Sequence, residues 1–290
     1  MFVLTPQVHL LDLAGPAQVF STADGYELHY VAEASPVPTW QGVALQASIT
    51  WPGLVPDDLV LVPGWRDGFG AFAGATLRMI AAHHAAGGTV ASVCAGADAL
   101  GRAGLLNGRR CTTHHDLQDA LARDYPQATV VRDVLYVGDD RVVTSAGIAS
   151  GIDLGLHLVA QRHGPAAAAR VAREMVVYAR RNGDEPQASA MLRHRAHLSE
   201  VVHRVQDTID AEFASVLPLG GLASEAGVSE RTLTRLFTAA TGQTPLRYQQ
   251  VLRVERAEYL IGHGATVESA ARAVGFSDAR MLRRLRARQR

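Results

Sequence analysis

The sequence contains no lysine, so all 28 basic side chains are arginine. Every cationic contact is therefore made by a planar guanidinium that can grip a carboxylate, a phosphate or a base edge through two N–H groups. Cysteine is nearly as scarce. Cys94 and Cys111 cannot build a disulfide framework, and two thiols suit a reducing cytosol. No apolar run approaches the roughly 18 residues that a membrane span needs. The N-terminal MFVLTPQVH lacks the basic start and long apolar core of a signal peptide. Net charge is absent too, but the zero hides a split. The first 192 residues hold 13 Arg against 18 acidic side chains, and the remainder 15 Arg against 10. A basic C-terminal part points towards nucleic acid.

What is present suits two packed domains: 290 residues, 48% of them hydrophobic. Met1 to Leu4 is predicted as a strand. A loop with Pro6 and Asp12 follows, then a helix starting at Gly15-Pro16, since proline fits a first turn. Tyr26 to Ala32 is a second strand, and the proline-rich residues 36–57 form a loop carrying a hairpin. Asp58 to Val62 is a buried strand closed by Pro63-Gly64, and Phe72 to Ala85 a helix. Cys111 to Thr113 extends a strand and His115 to Arg123 a helix. Val134–Val137 and Val142–Ser145 pair around Gly138-Asp139-Asp140, and helices cover 151–159 and 166–177. Alternating strands and helices predict an α/β domain, a parallel sheet sandwiched by helices. Ligands bind such sheets beyond the strand carboxyl ends, where Asp12, Gly64-Trp65 and Cys94 stand.

The most informative stretch is Thr89 to Thr113. An apolar strand, Thr89 to Val93, runs into Cys94, then Ala95-Gly96 and a helix from Ala97 to about Gly104. Strand, sharp turn with a nucleophile, helix is the layout of a nucleophile elbow. The helix N-terminus is expected to favour thiolate over thiol. The base that such chemistry needs would be His114 or His115, with Asp116 beside them. Adjacent histidines are expected to point different ways, so at most one faces the elbow. His83-His84 and His194, His197 and His203 are expected to be surface or packing residues, because no Cys/His/carboxylate set has ligand spacing. No metal and no cofactor are expected.

From Arg180 the texture changes. Arg-Arg-Asn-Gly-Asp-Glu-Pro-Gln reads as linker, and the rest as helix. Leu198, Val201, Val202, Val205, Ile209 and Phe213 mark one apolar face. A repeat follows. Leu219, Leu222, Ala223 and Ala226 precede Gly227-Val228-Ser229; 48 residues on, Val267, Ala270, Ala271 and Val274 precede Gly275-Phe276-Ser277. Each is an apolar helix, a glycine turn and a serine able to cap the next helix. The second helices bury Leu233, Leu236 and Phe237, or Leu282 and Leu285, and turn Arg231, Thr234 and Arg235, or Arg280, Arg283 and Arg284, outwards. Two helix-turn-helix units in register with basic outer faces predict DNA binding.

LASEAGVSERTLTRLF, GQTPLRYQQVLRVERAEYLI and VESAARAVGFSDARML resemble the AraC/XylS transcription regulators over about residues 198–286. The resemblance implies a linker helix from about Leu246 to Ile261. It places Arg231, Thr234, Arg235, Arg280, Arg283 and Arg284 at base-reading positions in two successive major grooves. Arg286 stands where that family usually has an aromatic residue. No segment like Gly242–Tyr248 follows the second unit in this sequence, so the expectation is either looser packing of that unit or a shortened chain.

LDLAGPAQVF, LVPGW, SVCAGADALGRAGLLNGRRCTTHH and VTSAGIASGIDLGLHLV resemble the PfpI-like, glutamine-amidotransferase-like superfamily over nearly residues 1–178. The branch is that of isonitrile hydratases and of the sensor domains of GlxA-type AraC regulators. It implies a flavodoxin-like sheet, Asp12 hydrogen-bonded to Cys94, and a pocket formed with Gly64 and the N–H groups of Trp65 and Ala95, with His114 close by. The related hydratases carry Thr where Ala95 stands, which favours sensing over catalysis. The expected organisation is a sensor domain over 1–180, a linker over 181–197 and a DNA-binding domain over 198–290. The expected protein is a cytoplasmic regulator. Its partners would be double-stranded DNA, a small-molecule effector, RNA polymerase and a second copy joined through the N-terminal domain. A cysteine-dependent hydratase or amidase using Cys94 and Asp12, and a redox sensor at Cys94, are the alternatives.

Overall fold

The computed structural model describes residues 1–66, 71–177, 181–187, 194–195, 197–262 and 264–287. It divides into two compact units, Met1–Gln187 and Ala188–Arg290. The first unit begins β1 (Phe2–Leu4), α1 (Leu10–Thr22), β2 (Tyr30–Ala32), β3 (Val37–Pro38), β4 (Ala44–Leu45), β5 (Leu59–Val62) and α2 (Gly74–Ala85). It continues β6 (Thr89–Val93), α3 (Gly96–Arg102), β7 (Arg110–Cys111), a 3-10 turn (His115–Leu117), α4 (Gln118–Asp124) and β8 (Thr129–Val130). It closes with β9 (Tyr136–Asp139), β10 (Val142–Ser145), α5 (Ser150–His163) and α6 (Pro165–Glu174).

The main sheet has the order β2-β1-β5-β6-β10-β9 and is parallel except for β9 on β10. Successive side chains alternate across it. Phe2, Leu4, Leu61, Ala91 and Val93 pack against α1, α5 and α6. Val3, Val60, Val62 and Val90 pack against α2 and α3. Burial on both faces explains why these strands are unbroken apolar runs. The chain has the flavodoxin-like α/β architecture that its pattern predicts, and among the described residues helices alone follow it.

Three local expectations change. The helix assigned to Gly15 begins at Leu10, so Asp12 lies in its first turn and not in a loop. Pro16 is then inside the helix, where a missing N–H and a bulky ring are normally costly. Gly151 of α5 leaves room for that ring: an added Cβ would lie 3.3 Å from Pro16 Cδ, so packing overrides local preference. The second strand is only Tyr30–Ala32. The β9–β10 hairpin turns at Asp140-Arg141, whose φ angles are 44° and 58°. Two successive positive values are the two-residue turn that matches strand twist, so Gly138 and Asp139 remain in the strand.

In the second unit α7 (Glu200–Glu212) precedes two helix pairs, α8 (Leu219–Glu225) with α9 (Glu230–Thr241), and α11 (Val267–Ala273) with α12 (Ala279–Ala287). The long α10 (Pro245–Gly262) connects them. Leu198, expected on the buried face of α7, is fully exposed, because the helix begins after the Ser199 cap. Tyr248 and Leu252 of α10 belong to the core of the first pair, and Val254 and Ala257 to that of the second. The second pair is not loose: Val274, Leu282 and Leu285 are buried. Arg286, at the position usually aromatic, forks onto Glu258 of α10.

The expected linker, 181–197, is held at both ends. Arg181 grips the buried Asp153 carboxylate, and Gly183 accepts the Leu135 N–H. The Gln187 amide donates to the Thr113 and Val134 carbonyls. Within the second unit Arg195 pairs with Asp210, His194 meets Gln243 and His197 meets Gln206. Residues 188–193 and 196 lie outside the described residues.

Candidate functional site

Strand β6 lies between β5 and β10, so the loops leaving those two neighbours flank the residue that follows it. That residue is Cys94, and its φ of 56° makes the elbow. Holding a non-glycine residue there costs about 1–3 kcal/mol and needs support from its surroundings. The Cys94 N–H donates to Ser145 O at 3.0 Å, and the Thr113 hydroxyl donates to Cys94 O at 2.7 Å. Two glycines leave space. A Cβ on Gly64 would lie 2.5 Å from Asp12 Oδ2 and 2.7 Å from Cys94 Cβ, and one on Gly147 would collide with the cysteine side chain.

The structure brings Asp12, Gly64, Trp65, Cys94 and Ala95 together and buries them all. Ile148, itself at a φ of 53°, turns its N–H onto Asp12 Oδ1. The Cys94 thiol and the Gly64 N–H also face the Asp12 carboxyl. Burial is the dominant force on Asp12 and raises it from the ordinary value of 3.8 to about 6, against those three donors. Burial, and then the Asp12 charge, pushes the Cys94 thiol well up. Both effects oppose the thiolate that the helix start is expected to favour. The Ala95 N–H at the helix start does reach the sulfur, but its pull is smaller than desolvation plus a buried carboxylate.

Trp65 follows Gly64 on the loop after β5. Its indole is buried and meets Phe72 edge-on, with centroids 5.4 Å apart. The Gly64 N–H faces Asp12 from this loop, and the Ala95 N–H reaches the sulfur. His114 is half-buried and no hydrogen bond joins it to Cys94 among the described residues. Its ring lies beside His115, with centroids 4.1 Å apart, so the two histidines do not point different ways. Burial, and then His115, keeps His114 below the usual histidine range. Thr113, Gly147, Ile148 and Gln187 escaped the sequence reading. Only Gly147, inside an SAGI turn after a strand, carried a visible signal.

In the second unit Ser229 caps α9 through the Thr232 N–H. Asp278, and not the expected Ser277, caps α12, accepting from the Arg280 and Met281 N–H groups at 2.8 and 3.1 Å. Arg231, Arg235 and Arg280 are exposed and have no ion-pair partner among the described residues. Thr234 is half-buried and its hydroxyl is spent on Glu230 O. Arg283 pairs with Glu268 at 2.6 Å, and Arg284 lies against the Met281 sulfur. Both faces keep cations on their outer surface, as a helix that reads DNA requires.

The DJ-1/PfpI family model matches residues 1–161, and a helix-turn-helix domain model matches residues 222–289. The chain belongs to the DJ-1/PfpI family. To that domain it joins a helix-turn-helix domain of the AraC type. It is 29% identical to the HTH-type transcriptional regulator CdhR of Pseudomonas aeruginosa over 82% of this chain and 71% of CdhR. It is 36% identical to the isonitrile hydratase of Pseudomonas putida over 54% of this chain and 68% of the hydratase. Among solved structures it is similar to a THiJ/PfpI family protein from Pseudomonas syringae, with TM-score 0.56 and 26% identity over 72% of this chain and 85% of that one. No described helix of this DJ-1/PfpI member is long and apolar enough to cross a membrane.

Proposed function

We propose that the chain is a sequence-specific DNA-binding transcription regulator whose DJ-1/PfpI domain senses a small molecule at Cys94. The observation that carries this reading is the pair of capped second helices, α9 and α12, each with arginines on its exposed face. Arginine matches guanine O6 and N7 through its fork. Within the sensor domain, Asp12 Oδ2 is buried without a well-aligned donor. An effector with an N–H or O–H group would supply one. Thr113 holds the Cys94 carbonyl, and its own carbonyl holds Gln187, at the end of the unit. An effector against Cys94 would act along that route. Second-copy pairing through the N-terminal domain, contact with RNA polymerase and action in the cytoplasm belong to the same reading.

The test is genome-wide mapping of bound DNA, followed by gel-shift titration on a mapped site. Arg235→Ala should weaken that site by about 1–3 kcal/mol and leave random DNA nearly unaffected. Equal loss on both would reduce Arg235 to a phosphate contact. The hydratase similarity and the Asp12–Cys94 pair favour a second reading, a cysteine-dependent hydratase or amidase. It requires turnover of a nitrile, isonitrile or amide that disappears in Cys94→Ala while DNA binding persists. A thiol pushed up by burial and by Asp12, a histidine not bonded to it and Ala95 in place of a hydroxyl residue speak against it.

A further inference from the structure

The segment that supports Cys94 carries a second constellation directly after it. Thr113 fixes the backbone at the elbow, and the next three residues enter the 3-10 turn. That tight turn brings His114, His115 and Asp116 together, with one ligand atom from each lying within 4.8 Å of the others. His114 Nδ1, which also accepts the Asp116 N–H at 3.4 Å, is 3.6 Å from Asp116 Oδ2, and His115 Nε2 is 3.4 Å from the other carboxylate oxygen, Oδ1. A tetrahedral ion bound at about 2.0–2.2 Å to each ligand needs ligands about 3.3–3.6 Å apart.

We propose that His114, His115 and Asp116 form a binding site for a divalent transition-metal ion of the zinc class. Two imidazoles and one carboxylate suit zinc, cobalt or nickel better than magnesium or calcium, which prefer all-oxygen sets. Three protein ligands leave the fourth position for water or a donor atom of a small molecule. His114 Nδ1 holds only the long 3.4 Å contact from the Asp116 N–H, which an ion would displace, whereas the other histidine pairs are held by carbonyl or amide oxygens. His83 and His84 bond the Asp58 and Asp140 carbonyls, and His197 and His203 bond Gln206 and the His197 carbonyl. His115 and Asp116 are exposed, so an ion can reach the site without opening the fold. Because Thr113 joins this turn to the Cys94 carbonyl, occupancy alters the support of the elbow whether or not the chain binds DNA.

The test uses the full chain titrated with Co²⁺ alone, read by the visible absorption of tetrahedral Co²⁺, then with Zn²⁺ as competitor. One equivalent should bind, and His115→Ala and Asp116→Asn should each weaken it at least about tenfold. His203→Ala should leave the affinity unchanged, and circular dichroism should be the same for all four proteins. Absence of the tetrahedral Co²⁺ spectrum, or equal affinity in the His115→Ala/Asp116→Asn double variant, overturns the site.

Discussion

At the scale of single residues, the centre of the sensor domain is a carboxyl and a thiol that share one buried space. The Asp12 charge makes ionisation of the thiol harder, the thiol in turn eases ionisation of Asp12 by donating to it, and burial makes both charges costly. The direction matters for stability. A carboxyl raised from 3.8 to about 6 favours the folded state while protonated. That contribution is complete below about 3.8, is lost as pH rises through about 6, and leaves an ionised Asp12 whose burial costs at most about 3 kcal/mol. Asp12→Asn is neutral throughout. Its melting temperature relative to the parent chain should therefore rise as pH goes from about 4 to 8. A difference that stays flat over that range would show Asp12 to be no more perturbed than a surface carboxylate. The same pair disfavours a redox sensor at Cys94, because peroxide attacks thiolate and burial beside Asp12 pushes the Cys94 thiol up.

At the scale of elements, the strands, the order of helices and the duplicated helix-turn-helix pattern were legible in the sequence because each rests on local periodicity. Leu233, Phe237, Leu282 and Leu285 are buried where their spacing puts them. What was not legible depends on contacts distant in sequence. Pro16 reads as a helix start until Gly151 is beside it, and Asp12 joins Ile148 across 136 positions. The linker texture of Arg181–Gln187 conceals docking onto Asp153 and Thr113. Arg253 is the strongest such case. From the middle of α10 its guanidinium donates to Phe213 O and Ser215 O after α7 and to Gly275 O in the second helix-turn-helix turn, at 2.6, 2.7 and 3.0 Å. It thereby ties the segment after α7 to the turn of the second helix pair, while Gly275, at a φ of 84°, lets that turn approach Ala214. Arg253→Ala should lower the unfolding free energy by about 1–3 kcal/mol in urea titrations. Lysine cannot fork onto three carbonyls, so Arg253→Lys should recover less than half of the loss. Full recovery would mean that only the charge matters.

At the scale of the whole molecule, an acidic sensor half and a basic reading half must be coupled for a ligand to control transcription. A ligand changes DNA binding only by preferring one of two arrangements, and the coupling is reciprocal. The described contacts offer a short path from pocket to connector: Cys94 carbonyl, Thr113 hydroxyl, Thr113 carbonyl, Gln187 amide. Thr113→Val removes the first link and Gln187→Ala the last. If the path carries the coupling, each variant should shift the DNA affinity of the effector-free chain in the same direction, within the roughly 5–150-fold range typical of allosteric coupling. The double variant should then shift it no further than the larger single change, since a broken path cannot be broken twice. Independent, multiplying effects would place the two residues on separate routes. Unchanged affinity in both would leave Gln187 as a structural anchor of the first unit and move the coupling to another part of the chain.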